Sequence, residues 1–412
     1  MKKYINKLFA SGLLFVCSAV HAGGYQLQEY SVTGLGRAFA GQGVVGDDYS
    51  ALAFNPAGMS LMKKSGFQTG VTLVNLKTNV KELNPPHRNT HMKVYAPVPH
   101  IFAQYKINDR VDVGFGIYAP YGLSTRYKHD SFVSDMARFS ELEMIDFSPA
   151  ISYKLNQHWS IGAAAIVRYI RGHMTSNINS DPRVGGGYTD YDLDGWAVTG
   201  SLGVLYQPTE NTRFGVAYHA RSTQQAKGDH KTWGNQGPHA AVMNGTYIGR
   251  ASPDLPQFIT FSGYHRINNF GLSATAKWTD WTRSFKRFTL ESENPVIGER
   301  SSPYKWKSSW TLLGGLDYYY SPNWTFRIGG GWDESPSHNA NRRTIRIPDN
   351  DRFWAACGLS YIMDTWQIDV GYAHMFGRTA TAYEPDTLGQ TRAVKFKKLR
   401  ANIYALQFQY KF

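Results

Sequence analysis

The side chains able to do chemistry in this chain are scattered, and their spacing excludes most kinds of catalysis. Cys17 and Cys357 are the only cysteines. Cys17 falls in an apolar N-terminal leader. The rest of the chain can therefore form neither an internal disulfide nor a zinc site of four cysteines, or of two cysteines and two histidines. No G-x-S-x-G and no H-E-x-x-H occurs, which removes the common hydrolase signatures. His158, His173 and His265 have no spacing that singles out a nucleophile and base, and read as rim or turn residues. What remains is cationic. Lys227, Lys231, Arg283, Lys286, Arg287, Arg392, Lys395, Lys397 and Lys398 fall in loop-like stretches, where such groups hold phosphates or stay solvated. The chemistry on offer is capture rather than bond breaking. The chain is expected to be no enzyme and to need no metal or cofactor.

Composition narrows the partner. The 412 residues carry 44 Lys and Arg against 31 Asp and Glu, a formal charge of +13. A basic exported protein would meet nucleic acid, anionic lipid, lipopolysaccharide or an anionic solute. No nucleic-acid motif is present, so that partner is set aside. Forty glycines, 14% aromatic and only 18% charged residues suit a β-rich chain. The glycines have no period of three, which excludes collagen, and the aromatics are too many for disorder. One apolar run nears spanning length, at the N-terminus. Residues 1–22 are expected to be a secretory signal peptide: Lys2, Lys3 and Lys7 precede an apolar core from Leu8 to Val20, and Val20-His21-Ala22 offers a small-residue cleavage site.

The elements that would position these cations follow a period of two. In 399–412, Tyr404, Leu406, Phe408, Tyr410 and Phe412 take one face and Gln407, Gln409 and Lys411 the other. Residues 270–278, 324–332 and 366–372 repeat the pattern. Alternation of this kind puts each set on one face of a sheet, and the apolar faces often begin or end in Trp, Tyr or Phe. Fourteen segments qualify, approximately 66–77, 96–106, 109–121, 141–155, 157–172, 191–206, 212–224, 253–265, 269–282, 305–318, 323–333, 350–361, 366–376 and 399–412. Tight links such as Asn108-Asp109, Asn156-Gln157 and Ser321-Pro322-Asn323 alternate with longer ones. Short turns at one end and long loops at the other are the mark of a bacterial outer-membrane barrel. The expected fold is thus all-β, a closed 14-stranded antiparallel transmembrane barrel over 66–412. Phe412, in step with Tyr410 and Phe408, looks like the terminal signature of such barrels.

Residues 23–65 break the rhythm. A Gly/Ala-rich stretch leads to Asp47-Asp48-Tyr49-Ser50-Ala51-Leu52, where Asp47 or Asp48 could cap a short helix. Low charge and small side chains favour a plug inside the lumen over a tail outside it.

These residues together resemble the FadL family of outer-membrane transporters for long-chain fatty acids, whose relatives take up aromatic hydrocarbons. The likeness lies in Gly34-Leu35-Gly36-Arg37-Ala38, Asn55-Pro56-Ala57, Tyr318 to Arg327, and Ile347-Pro348-Asp349-Asn350-Asp351-Arg352-Phe353-Trp354. It implies that 23–65 form a hatch, that a hydrophobic ligand is captured outside and passed to a lumenal pocket, and that a kinked third strand opens the wall for sideways exit. Asn55, Pro56 and Ala57 would be the hatch motif beside that kink. The third strand here carries Ala119, Pro120, Tyr121 and Gly122. Pro120 cannot donate to a ladder and Gly122 bends readily; from residues alone, the same chemistry also fits a strand that merely ends. The family's carboxylate-holding positions map to Arg171 and Lys307, and Tyr25 matches its pocket aromatic. Alternation puts Arg171 outward and Arg168 inward, so Arg171 needs a bulge to reach the lumen; otherwise Arg168 is the better candidate. At Ala119 the chain lacks a small hydroxyl that the fatty-acid member carries.

The expected function is passive uptake of a hydrophobic molecule, foremost a long-chain fatty acid, by a monomer in the outer membrane amid lipid and lipopolysaccharide. The alternatives are uptake of neutral aromatic hydrocarbons and an adhesin or receptor role for the long loops. A general porin fits less well because it has no hatch, and no TonB-box pattern points to energised transport.

Overall fold

The computed structural model describes residues 24–178, 186–386 and 389–412. The leader expected over 1–22, and Gly23 at the start of the expected hatch, lie outside them. Fourteen antiparallel strands form one wall. In chain order they are Gly66–Glu82, Asn89–Lys106, Val111–Tyr118 with Gly122–Arg126, Phe139–Lys154, Trp159–Asn177, Tyr188–Thr209, Thr212–His219 continued by Ala226–Trp233, Gly245–Ala251 with Gln257–Ile267, Phe270–Asp280, Ser309–Tyr319, Trp324–Asp333, Arg352–Ile362, Trp366–Gly377 continued by Ala380–Pro385, and Thr391–Lys411. The first strand pairs with the fourteenth from Gly66↔Lys411 to Glu82↔Val394. That closure matters because an open edge in hydrocarbon would leave a row of backbone groups unpaired.

The faces are inverted relative to a water-soluble sandwich. Tyr404 and Leu406 are 52% and 53% exposed, while Ala405 between them and Gln407 and Gln409 beyond them are buried. Near the short-turn end of the last strand the inward side chains are polar and bonded. Gln407 Oε1 accepts from the Val32 amide at 3.1 Å and from Gln68 Nε2 at 3.3 Å, and Gln407 and Gln409 both donate to Asp369 Oδ2 at 3.0 and 2.8 Å. Grease outside and paired polar groups inside is the arrangement a lipid surround selects.

The wall rises further at its long-loop end than alternation predicts. The fourteenth strand begins at Thr391 instead of 399, the second at Asn89 instead of 96, and the first runs on to Glu82. Beyond the lipid neither face must be apolar, so the pattern fades while the backbone ladder continues. Conversely, the tenth strand starts at Ser309, which leaves Lys307 before it.

Residues 24–65 run inside this wall. The helical turn Val32–Gly36 packs on the eleventh to fourteenth strands, whereas the 3₁₀ turn Pro56–Leu61 packs on the third to sixth, so the segment bridges two sides of the cylinder. On one side it is held by charge. Arg37 Nη1 lies 2.7 Å from Asp47 and 3.1 Å from Asp317 of the tenth strand, and Arg327 of the eleventh reaches Asp47 at 3.1 Å and Asp317 at 3.3 Å. On the other side it is held by close approach. A Cβ at Gly162 or Gly203 would collide with the backbone of Ala57 or with Asn55 Oδ1, so only glycine lets the wall come this near. Asn55 caps the 3₁₀ turn by accepting from the Ala57 amide at 3.1 Å and donates to the Val204 carbonyl at 3.1 Å. Neither aspartate caps a helix as expected. Ser50 precedes the turn Ala51–Phe54 without a side-chain cap bond. Asp48 instead accepts from Ser31 at 2.5 Å, Thr33 at 2.8 Å and Ser50 at 2.6 Å.

Candidate functional site

The third strand is interrupted, and the interruption is where the wall and the inner segment meet. Its first piece pairs with the second strand from Ile101↔Ile117 to Lys106↔Asp112. Its second piece pairs only with the fourth strand, from Gly122↔Glu143 onward. Ala119, Pro120 and Tyr121 leave the ladder, and Ala119 and Tyr121 are buried. Their backbone is satisfied from within: the Leu27 amide donates to the Pro120 carbonyl at 2.8 Å, the Gly122 amide donates to the Tyr25 carbonyl at 2.9 Å, and Gln26 bridges Tyr121. Pro120 has no N–H to lose by this arrangement. Residues 89–100 of the second strand are consequently without a ladder partner on that side, and Pro97 and Pro99 sit there, where an edge tolerates proline. Outside the break lies an apolar dent formed by Pro99, Ile101, Ile117 and Ile145, floored by Tyr118 and Ala119. The Pro97-x-Pro99 pair was a legible signal for the break that the sequence reading passed over.

Inside the break, Tyr25 is fully buried in an aromatic cluster. Its ring centroid is 5.2 Å from Trp281, 5.4 Å from Phe285, 5.8 Å from Tyr121 and 6.2 Å from Trp306. Tyr304 joins at 4.7 Å from Phe285. Trp281 and Phe285 are presented by the helical turn Trp281–Ser284, which Asp280 caps through the Thr282 amide at 3.2 Å. The Tyr25 hydroxyl, Trp281 Nε1 and the Ser284 hydroxyl have no hydrogen-bond partner among the described residues. Each such orphan costs about 1–3 kcal/mol, and a ligand carrying a polar group would relieve it. Just below, Tyr30, Tyr118, Tyr121, Arg168 and His219 line a cavity of about 20 Å³. That holds roughly one water, far short of the roughly 300–1,000 Å³ of a small-molecule pocket, so a ligand must displace side chains to enter.

The predicted cations are not brought together. Arg168 faces the lumen, but its guanidinium is committed bidentately to Asp146 at 2.6 and 2.7 Å and to the Ser222 hydroxyl at 3.0 Å, over the ring of Tyr121. Arg171 faces outward. The pairing of its strand with the sixth runs without a shift from Trp159↔Tyr206 to Asn177↔Tyr188, so no bulge turns it in, and it pairs with Asp192 at 3.1 Å on the outer face. Lys307 is 44% exposed and pairs with Glu334 at 2.5 Å. Each of the three already has a carboxylate.

One cation beside the cluster that sequence reasoning missed is Arg346, near Tyr304. It lies in the loop between the eleventh and twelfth strands, donates to the Ser140 hydroxyl at 2.7 Å, and makes no ion pair among the described residues. Burial pulls its guanidinium below the ordinary arginine value, a pull opposed by the nearby Tyr304 and Glu384. Its neighbours Ile345 and Ile347 are buried. An arginine between two isoleucines was the available signal.

Comparison with known proteins agrees with this architecture. The family model described as outer membrane protein transport protein (OMPP1/FadL/TodX) matches residues 13–412. The long-chain fatty acid transport protein of Escherichia coli K12 is 25% identical over 427 residues, covering 92% of this chain and 94% of that one. Among solved structures, a Pseudomonas aeruginosa FadL homologue superposes with a TM-score of 0.85 at 24% identity, covering 94% of this chain and all of its own. The toluene transporter TbuX of Ralstonia pickettii gives a TM-score of 0.69 at 19% identity, covering 94% and 99%.

Proposed function

Since the chain belongs to the outer membrane transport protein family of OMPP1, FadL and TodX, we propose that it takes up long-chain fatty acids passively through the route its interrupted strand outlines. At the coarser level it is an outer-membrane channel for hydrophobic compounds and not an enzyme. In the finer reading residues 1–22 are a removed leader, 23–65 a hatch carrying the Asn55-Pro56-Ala57 motif, and 66–412 the barrel. A single copy, set among outer-membrane lipid and lipopolysaccharide, contains the whole route.

The ligand enters from the long-loop end and reaches the aromatic cluster around Tyr25. Its tail replaces ring–ring contacts, and its carboxylate takes the charge-assisted bond that Arg346 has free, with Arg168 as a second, already neutralised, neighbour. It leaves beneath Ala119, Pro120, Tyr121 and Gly122 into the dent facing lipid. One observation carries this reading: the backbone that holds Tyr25 is the backbone that fills the third-strand break, so clearing the pocket and opening the wall are one movement.

The second reading is uptake of neutral aromatic compounds. The ring-rich lining favours it, as does the name of the Ralstonia pickettii neighbour. Cells producing the protein as their one such channel separate the two when offered labelled oleate and labelled toluene. Oleate uptake that toluene fails to suppress supports the fatty-acid reading; uptake of toluene alone removes it.

A further inference from the structure

The outer face of the barrel carries a cluster of cations on the seam formed by the fourteenth, first and second strands. In the ladder there, Lys77 stands directly opposite Lys93 on one side and Arg400 on the other. One tier higher, Lys81 stands opposite Lys395, and Lys397 lies opposite Asn79 between the tiers. These positions alternate with buried ones, Leu76, Thr78, Val80, Met92 and Phe396, so the cations project from the wall. None lies within 4 Å of a carboxylate among the described residues; the nearby Glu82 is buried on the opposite face and taken by Arg88. Like charges placed directly across a ladder destabilise it. Six cations without one acid are therefore a local penalty that the fold alone does not offset.

Depth tells what offsets it. Below the cations the outward residues, Thr69 excepted, are apolar or aromatic, from Phe67, Tyr105 and Tyr410 near the short-turn end up to Leu73, Tyr95 and Tyr404. Lys77 is ten residues beyond Phe67. At about 3.3 Å per residue and a tilt of about 40° that is about 25 Å of height, the thickness of the apolar band of such barrels. The lower tier thus begins where hydrocarbon ends on the outer side, beside the aromatic girdle, and Lys93 Nζ lies over the Tyr95 ring at 4.7 Å. The four-residue step to Lys81 adds roughly 13 Å along the strand, so two tiers of cations face the headgroup layer. At the outer face of the fourth to sixth strands the basic groups are matched, Arg171 with Asp192 and His173 with Asp190.

We infer that the seam of strands fourteen, one and two binds a phosphorylated glycolipid of the outer leaflet, its phosphates on Lys77, Lys93 and Arg400 and on the tier above, its acyl chains along the apolar strip beneath. The inference rests on the outer-membrane location and not on which compound the lumen carries.

The test uses the full-length purified protein in detergent and measures retention of diphosphorylated lipid A by native mass spectrometry. Wild type should bind it at least roughly tenfold more tightly than the K77Q/K93Q/R400Q variant, whereas the loop variant K227Q/K231Q/R287Q should match wild type. Both variants must keep the gel mobility of a folded barrel; a seam variant that fails this is replaced by K77Q/K93Q. Lipid A stripped of its phosphates should bind wild type no better than it binds the seam variant. Equal binding of diphosphorylated lipid A by wild type and seam variant, undiminished binding of the stripped lipid, or displacement by an equimolar amount of inorganic phosphate would each overturn the assignment.

Discussion

The backbone amide of Gly122 donates to the carbonyl of Tyr25 at 2.9 Å, which ties the wall at its one break in the third strand to the residue at the centre of the aromatic cluster. With Leu27 to Pro120 on the other flank, Gln26 and Tyr121 form a non-hydrogen-bonded antiparallel pair. Such pairs bring Cα atoms to about 4.5 Å, within the range a disulfide spans. In a Cys357→Ser background, Gln26→Cys with Tyr121→Cys should therefore crosslink. Uptake should fall to background when oxidised and recover with reductant. Undiminished uptake by the crosslinked protein would show that ligand passes without parting these strands.

Arg346→Ala should weaken oleate binding about tenfold or more, the value of one charge-assisted hydrogen bond of about 1.5–3 kcal/mol, while toluene binding stays constant. Arg171→Ala should leave oleate binding unchanged, since that side chain faces outward. Titration of labelled oleate into purified protein measures both. An Arg171 effect larger than that of Arg346 would return the carboxylate to the position the family resemblance implied.

Asp47→Asn should loosen the inner segment. It leaves Arg37 and Arg327 sharing Asp317, and removing one member of a buried ion pair costs about 3–5 kcal/mol. The expected readout in planar bilayers is frequent brief openings absent from wild type. A trace as quiet as wild type would mean that the contacts around Asn55 alone hold the segment.

Seating of this segment should also depend on pH through Glu29. The side chain is buried, its Oε2 accepts from the Gln28 amide at 2.8 Å, and its Oε1 has no partner among the described residues. Burial raises its pKa from the ordinary 4.5 to about 7, against the lowering pull of the backbone amides and of Arg352 and Lys277. A carboxyl whose folded value lies above its unfolded value binds its proton more tightly in the folded state. Its stabilising contribution is complete below the unfolded value and is lost as pH rises through about 7. Protection against hydrogen exchange in residues 24–65, with the base-catalysed intrinsic rate divided out, should therefore be lower at about pH 8.5 than at about pH 5.5, and Glu29→Gln should flatten the difference. A difference that persists in Glu29→Gln would assign the pH response elsewhere.

The sequence by itself determined the barrel. Strict alternation such as Tyr404-Ala405-Leu406-Gln407-Phe408-Gln409 can be satisfied only by a sheet with grease on one side and water or polar partners on the other, and the alternation of short and long links set its closure and orientation. It also marked Pro120 and Gly122 as a weak place, because proline lacks a donor wherever it sits. What it could not decide was which cation meets which partner. Arg168, Arg171 and Lys307 read as three equivalent bases in one dimension; in the fold each finds its own carboxylate, at Asp146, Asp192 and Glu334. Arg346, from a loop far along the chain, lies beside the aromatic cluster and makes no ion pair among the described residues. The like-charge seam of Lys77, Lys93 and Arg400 exists only through register between the first, second and last strands. Periodicity is a local property, fixed by the backbone of each strand, whereas pairing is fixed by closure, which brings together residues more than three hundred positions apart.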